Sequence, residues 1–372
     1  MNKKKILTII LIILFINFVA ERINTNKSDV YEEQNKISIK KNKNMLSMNL
    51  EQTAGAGDYK TVTQSSWPTE GYEFNTELSR CEKGSELSWD DTKKAVIMQG
   101  NVSDKCYVYF DLIPSMTLAE YVISQYTGVQ GENGIYYHNS SLENGAGDNS
   151  YRYAGASNNV NNYICLGSDA TTCPDANLFR IIGVFGDQTK VIRAKSVGDQ
   201  KWNTSKANAW SSSSLNTYLN GEYLTNLGTL ADKIATTTWK VGGGSSTYLY
   251  DVPTTAYQYE VGSSASTTTY EAKIGLMYAS DYGFAASSSA WTTKLSSYSS
   301  NTSKNWLYLG SYEWTISRYS GGTTGAFVVG GSGGVGSDAV TSSCAARPSF
   351  NLESSVKYVS GSGTIENPIR IN

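Results

Sequence analysis

The chain has 372 residues, of which 40% are hydrophobic, 17% charged and 12% aromatic, with 26 tyrosines and a single histidine. That length allows two or three domains, and a charged share below the roughly 25% usual for soluble domains implies a surface made polar by hydroxyls and amides. One imidazole, His138, excludes multi-histidine zinc sites, two-histidine iron triads and metalloprotease helices, and a net charge of -2 leaves no basic face for nucleic acid.

The charge is unevenly spread. Residues 1–50 hold nine Lys or Arg against four Asp or Glu, a net of +5, so the rest of the chain carries -7. Lys3, Lys4 and Lys5 precede an apolar run from Ile6 to Ala20, broken only by Thr8 and Asn17. A positive flank before an apolar run is the form of an export segment, because the lysines resist crossing the membrane. Fifteen residues at about 1.5 Å each reach roughly 22 Å, short of the ~30 Å hydrocarbon core and close to a cleaved signal. Against cleavage, Phe18 stands where a cut after Ala20 needs a small residue. Residues 1–23 are therefore expected to be a signal or membrane anchor, with 6–20 in the membrane and the N-terminus inside. The remainder is then on the extracellular side of the cell membrane, or secreted if the segment is cut.

Residues 24–66, rich in Lys, Asn, Glu and Ser, predict a flexible stalk, since they offer too little apolar surface to offset their ordering entropy. Residues 67–113 predict a small antiparallel β module. Cys106–Phe110 is β-branched and aromatic, Asp90-Asp91-Thr92-Lys93 is a turn, and Cys81–Cys106 is expected to close the module, with Trp89 over the bridge. Cys165 and Cys173 span a loop short enough for a local bridge, which leaves Cys344 over, as a buried free thiol or as a reactive or intermolecular one.

Residues 114–176 read as a helix followed by a long loop arm. Thr117-Leu-Ala-Glu120 has capping-box spacing before a helix over 117–126, and 128–162 is rich in Gly, Asn and Tyr. From Asn177 the runs NLFRIIGVF and QTKVIRA meet at Gly186-Asp187, which predicts a hairpin. Leu215, Tyr218, Leu219 and Tyr223 have helical spacing, and Thr229-Leu-Ala-Asp232 opens another short helix. Short strands follow: TYEAKIGLMYASDYGF, NWLYLGSYEWTISRYS, TTGAFVVGG and AARPSFNL. The Ser/Thr density from 236 to 303 predicts long polar loops between them. Hairpin, helices, then strands is an α+β plan.

Several of these pieces carry a resemblance. NLFRIIGVF, the Trp210–Ser214–Leu215–Asn216–Leu219–Asn220 pattern, KIGLMYASDYGF, EWTISRYS, GAFVV and the closing ARPSFNLESSVKYVSGSGTIENPIRI occur in order. Over 177–372 the chain resembles bacterial surface domains of the C-type-lectin-like fold and the formylglycine-generating (sulfatase-modifying) group. The stretch CLGSDATTCPDANLFRIIGVF is similar to multi-module envelope proteins of Gram-positive bacteria. The resemblance implies a C-type-lectin-like domain. The formylglycine-generating activity implies a pair of copper-binding cysteines, and beside Cys344 this half of the chain has no second late cysteine. The calcium motifs of lectins are also incomplete: Glu366-Asn367-Pro368 has the wrong order, and Trp202-Asn203-Thr204 lacks an acid.

Candidate chemistry is sparse. Gly331, Gly333 and Gly336 form a G-x-G-x-x-G without a following helix, which reads as a turn. Asp169, Asp175 and Asn177 are the best oxygen set for calcium, although no cofactor is required. Glu313 and Asp281 stand in aromatic contexts without a carboxylate partner fixed by the sequence, and no catalytic residue is assigned. The ligand-binding candidates are Trp306, Tyr308, Tyr312, Trp314, Arg318 and Tyr319, because Tyr, Trp and Arg give rigid contact area with polar handles. Read as one strand, Trp306, Tyr308, Tyr312 and Trp314 share a face. The expected function is recognition of a surface glycan or protein through Tyr/Ser/Thr-rich loops. The alternatives are an extracytoplasmic enzyme (a formylglycine-generating-like oxidase or a glycan hydrolase) and a structural envelope module.

Overall fold

A computed structural model describes residues 46–372, apart from positions 54, 64, 65, 69, 70, 102 and 114. The export segment 1–23 and residues 24–45 of the expected stalk lie outside the described residues. Among the described residues, no helix is long and apolar enough to cross a membrane. The chain is 21% helical and 33% strand, which is the α+β composition, and it divides into two compact units at Ser115/Met116.

The first unit is β throughout its described part. Strands β1 (Leu46–Glu51), β2 (Tyr59–Val62), β3 (Tyr72–Phe74), β4 (Arg80–Cys81) and β7 (Cys106–Leu112) form one sheet, in the order β2–β1–β7–β3 with β4 also on β7. A hairpin of β5 (Glu86–Asp90) and β6 (Ala95–Gln99) turns at Asp90, whose Oδ1 accepts the Thr92 and Lys93 amides. The stalk expectation fails from Leu46 onward. Met48 and Leu50 alternate inward beside Val108 and Phe110, so this polar-looking stretch supplies half of a small core. Its pairing with β7 is parallel, Leu46 opposite Cys106 through Leu50 opposite Phe110, so the sheet is mixed and not purely antiparallel. Cys81 and Cys106 are joined across β4 and β7. Trp89 packs edge-on against Phe110 at 5.7 Å and belongs to the core cluster.

The second unit, 116–372, absorbs both the expected arm and the expected lectin-like region. Helix α1 (Leu118–Ser124) has its capping box: Thr117 Oγ1 accepts the Glu120 amide and Glu120 Oε2 accepts the Thr117 amide. The stretch read as a loop arm carries β8 (Ile135–His138), β9 (Ser150–Tyr153) and β10 (Tyr163–Cys165). These join β11 (Leu178–Phe185) and β12 (Gln188–Arg193), the hairpin expected at Gly186. With β16 (Ile274–Gly275) and β21 (Ser349–Leu352), the order is β16–β21–β12–β11–β9–β8, and β10 also pairs with β11. A second sheet runs β13–β20–β17–β18–β19, from Asp199–Lys201, Ser343–Ala345, Glu313–Arg318, Gly325–Val329 and Val335–Ala339. A ribbon of β14 (Thr237–Lys240) and β15 (Thr269–Ala272) completes the parts used below.

Helix α2 (Ser214–Tyr218) starts where Ser213 Oγ accepts the Asn216 amide. The hydroxyl-rich stretch 236–303 is not a run of polar loops. It contains α3 (Pro253–Glu260) and α4 (Ala279–Phe284), and it buries Trp239, Leu249, Tyr282, Trp291, Leu295 and Tyr298. KIGLMYASDYGF accordingly splits into the two-residue strand β16 and α4. Serine and threonine fill the turns and exposed positions while buried aromatics anchor the segment, and Asp281, not a serine or threonine hydroxyl, closes the start of α4, so composition alone misread it.

Candidate functional site

The six aromatic and arginine candidates do not share a face. Only Glu313–Arg318 is strand, and residues 306–312 form a turn, which ends the alternation on which a common face depended. Trp306 and Trp314 are buried, and their indole N–H groups donate to Tyr153 O and Gln200 O. Tyr308 donates to Gly331 O, and Arg318 Nε donates to Gly242 O. Tyr319 packs on Phe327, and Tyr312, 57% exposed, stands apart from any cavity wall described here. The three glycines at 331, 333 and 336 lie in and beside the β18–β19 turn, closed by the Gly333 amide on Gly330 O. His138 is buried against Phe284 and Trp291, and its Nδ1 accepts the Ala146 amide. Burial, with Arg152 nearby, holds its pKa well below the usual imidazole value.

The proposed calcium set does not converge. Asn177 Nδ2 donates to Leu166 O and Gly167 O, and Asp175 pairs with Lys195 at the surface. Among the described residues, no group of three His, Cys, Asp or Glu could hold a metal ion. Asp169 lies on a cleft of about 590 Å³ beside the Cys165–Cys173 bridge, with Lys233, Glu366 and Arg370. That cleft has no aromatic wall, and its arginine is bound to the Ser168, Ala170 and Thr171 carbonyls. Cys344 is buried and is the free cysteine, the other four being joined in pairs, so a copper-binding thiol pair has no second thiol. Glu313 is buried on a bidentate contact with Arg347, at 2.6 and 2.8 Å.

The site with both cavity and chemistry lies within the second unit, between the sheet of β9, β11, β12 and β21, the β14–β15 ribbon, α3 and α4. It is a cavity of about 250 Å³. Its floor starts on β12, where residues 189–192 are all buried and Lys190 stands in register between Gly183 and Asn351. Lys190 Nζ lies 2.6 Å from Asp281 Oδ2, and both side chains are almost wholly buried. Asp281 is placed by the first turn of α4, where the same oxygen accepts the Tyr278 amide. Its other oxygen faces Arg152 Nη1 at 3.6 Å. Arg152, on β9, holds Asp148 at 2.6 Å and Ser150 Oγ at 2.8 Å. One row of alternating charge, Lys190–Asp281–Arg152–Asp148, therefore runs along the floor.

Aromatic walls enclose that row. The Lys190 ammonium lies 4.7 Å from the Tyr278 ring, 5.5 Å from Trp239 and 5.7 Å from Phe185. The Arg152 guanidinium lies 4.6 Å from Phe185 and 5.2 Å from Tyr257. Thr237, Thr238, Lys240 and Asn351 form the rim, where Thr238 is exposed. Burial lowers the Lys190 pKa, against the opposing attraction of Asp281. For Asp148, burial raises the pKa, but Arg152 and the Ser150 donors outweigh it and hold the carboxyl at about 2. Behind the floor, Glu260 closes the start of α4. It accepts the Ala279 and Ser280 amides and the Ser317 hydroxyl, and burial raises its pKa.

Sequence reading named Asp281 alone of these groups. A signal for Lys190 was present, since it shares strand parity with Ile192 inside an apolar run, where a charged side chain needs a buried partner. The chain matches no protein-family model, no curated protein and no solved structure.

Proposed function

We propose that the chain is an exported, membrane-tethered surface protein whose second unit is a C-type-lectin-like recognition module for a glycan. The observation that supports this most is the cavity of about 250 Å³, with Trp239, Tyr257 and Tyr278 in its walls and charged groups on its floor. Apolar ring faces stack on the C–H face of a sugar, and fixed charged groups select its hydroxyls. The volume suits one terminal ring. Both cavity carboxylates are tied to Arg152, which favours holding a ligand over the free acid and base that hydrolysis needs. The export segment and the hydroxyl-rich surface of the sequence support a place outside the cell.

A glycan array probed with the full chain tests the reading, followed by calorimetry on any hit. Tyr257→Ala, at the half-buried wall, is expected to weaken binding about tenfold or more, by roughly 1–3 kcal/mol of lost stacking. Tyr312→Ala is expected to leave it unchanged. Absence of any array signal, or equal loss in both variants, would overturn the reading.

A further inference from the structure

We propose that Lys190 is a carbonyl-reactive amine: the cavity admits a small aldehyde or ketone and forms an imine at Nζ. Three observations place that chemistry there. Lys190 lines a cavity large enough for a molecule of a few carbons. Three aromatic rings lie within 5.7 Å of its nitrogen and keep water from solvating the charge. The carboxylate of Asp281, 2.6 Å away, is positioned to accept a proton from the ammonium and return it. Burial favours the neutral amine, the form that attacks carbonyl carbon.

The step balances within these groups. Asp281 takes one ammonium proton, and the Nζ lone pair forms a C–N bond as the carbonyl π electrons move to oxygen. That oxygen receives the proton, and a second proton from nitrogen leaves with it as water when C=N forms. One aldehyde and one amine give one imine and one water, with no oxidant or reductant. Arg152 keeps Asp281 in place from the other side, at 3.6 Å.

The inference shares the cavity with the proposed sugar site but not its ligand, so the two fail separately. Sugar binding is read as reversible affinity without reductant, and the amine is read as a covalent mass. The full chain, incubated with glycolaldehyde and cyanoborohydride at neutral pH, is digested and mapped. Lys190 is expected to be alkylated about tenfold faster than exposed Lys304, because the cavity holds the carbonyl beside Nζ and Asp281 stands ready to take its proton. Lys190→Arg removes the label, with folding checked by circular dichroism, while Lys206→Gln, at an exposed position outside the cavity, leaves it. Labelling of Lys190 no faster than of Lys304 in the folded chain would overturn the proposal. A native mass short by one water, with Lys190 and Asp281 recovered as a cross-linked peptide pair, would also overturn it, because the amine would already be consumed.

Discussion

Arg347→Met isolates the energetics of the most buried ion pair in the second unit. Arg347 and Glu313 are 3% and 1% exposed, the carboxylate accepts from Nε and Nη2, and Nη2 also donates to Leu307 O at 2.6 Å. Methionine keeps the stem volume but strands a carboxylate that has lost two charge-assisted bonds, at roughly 1.5–3 kcal/mol each before relaxation. The Leu307 carbonyl adds about 1 kcal/mol, and the net expected loss at neutral pH is about 3–5 kcal/mol. Burial already raises the Glu313 pKa against the pull of Arg347, and without Arg347 it rises further. A carboxyl with a raised folded pKa costs stability above that pKa and recovers it on protonation, so the deficit should shrink as pH falls. The assay is urea unfolding followed by tryptophan fluorescence at neutral and mildly acidic pH; six of the eight tryptophans lie in 116–372. Arg347→Met with Glu313→Leu should recover most of the loss. A single-variant loss under about 1 kcal/mol, or one that does not change with pH, would refute the reasoning.

Three further outcomes can be measured with the same preparations. Asp148→Asn should lower stability by about 2–3 kcal/mol at neutral pH; in the parent this contribution is complete above ~4 and is lost as pH falls towards 2, which acid titration of stability will show. Gly183→Ala places a methyl 2.2 Å from the Tyr151 carbonyl on β9, so the strands must part, and thermal unfolding should show a loss of about 2–3 kcal/mol or more. Cys81→Ser with Cys106→Ser opens a loop of 25 residues, and the first unit should lose about 3–4 kcal/mol, read by urea unfolding with and without reductant.

Local chemistry was legible where neighbours in sequence decide the structure. The hairpin at Gly186, the capping box at Thr117 and the Cys165–Cys173 bridge each depend on a few nearby residues, while the Cys81–Cys106 bridge and the α+β class followed from cysteine count and the order of strand and helix signals along the chain. The expected aromatic face failed because strand parity holds only while the chain stays extended, and the backbone turns before Glu313. Residues 236–303 misled because hydroxyl content hides sparse anchors such as Trp239 and Tyr298, whose partners lie far along the chain. The cavity was least legible of all: Asp148, Lys190 and Asp281 come together only once the β9–β11–β12 sheet and α4 are in place. What the sequence offered was a lysine on an inward strand position, a sign of a partner without the partner's identity.

The parallel pairing of β1 with β7 has a mechanical meaning. Tension applied through the residues before Leu46 enters at the start of β1, and the chain leaves the first unit beyond Leu112 at the far end of β7. Pulled from opposite ends, two parallel strands slide along one another, so their hydrogen bonds resist together instead of opening one at a time like a zip. Survival under such a pull is a matter of rate, set by the unfolding barrier. Were the chain held through its N-terminal side, as the proposed tether requires, the β1–β7 pair would be the first joint of the first unit to bear the load in shear.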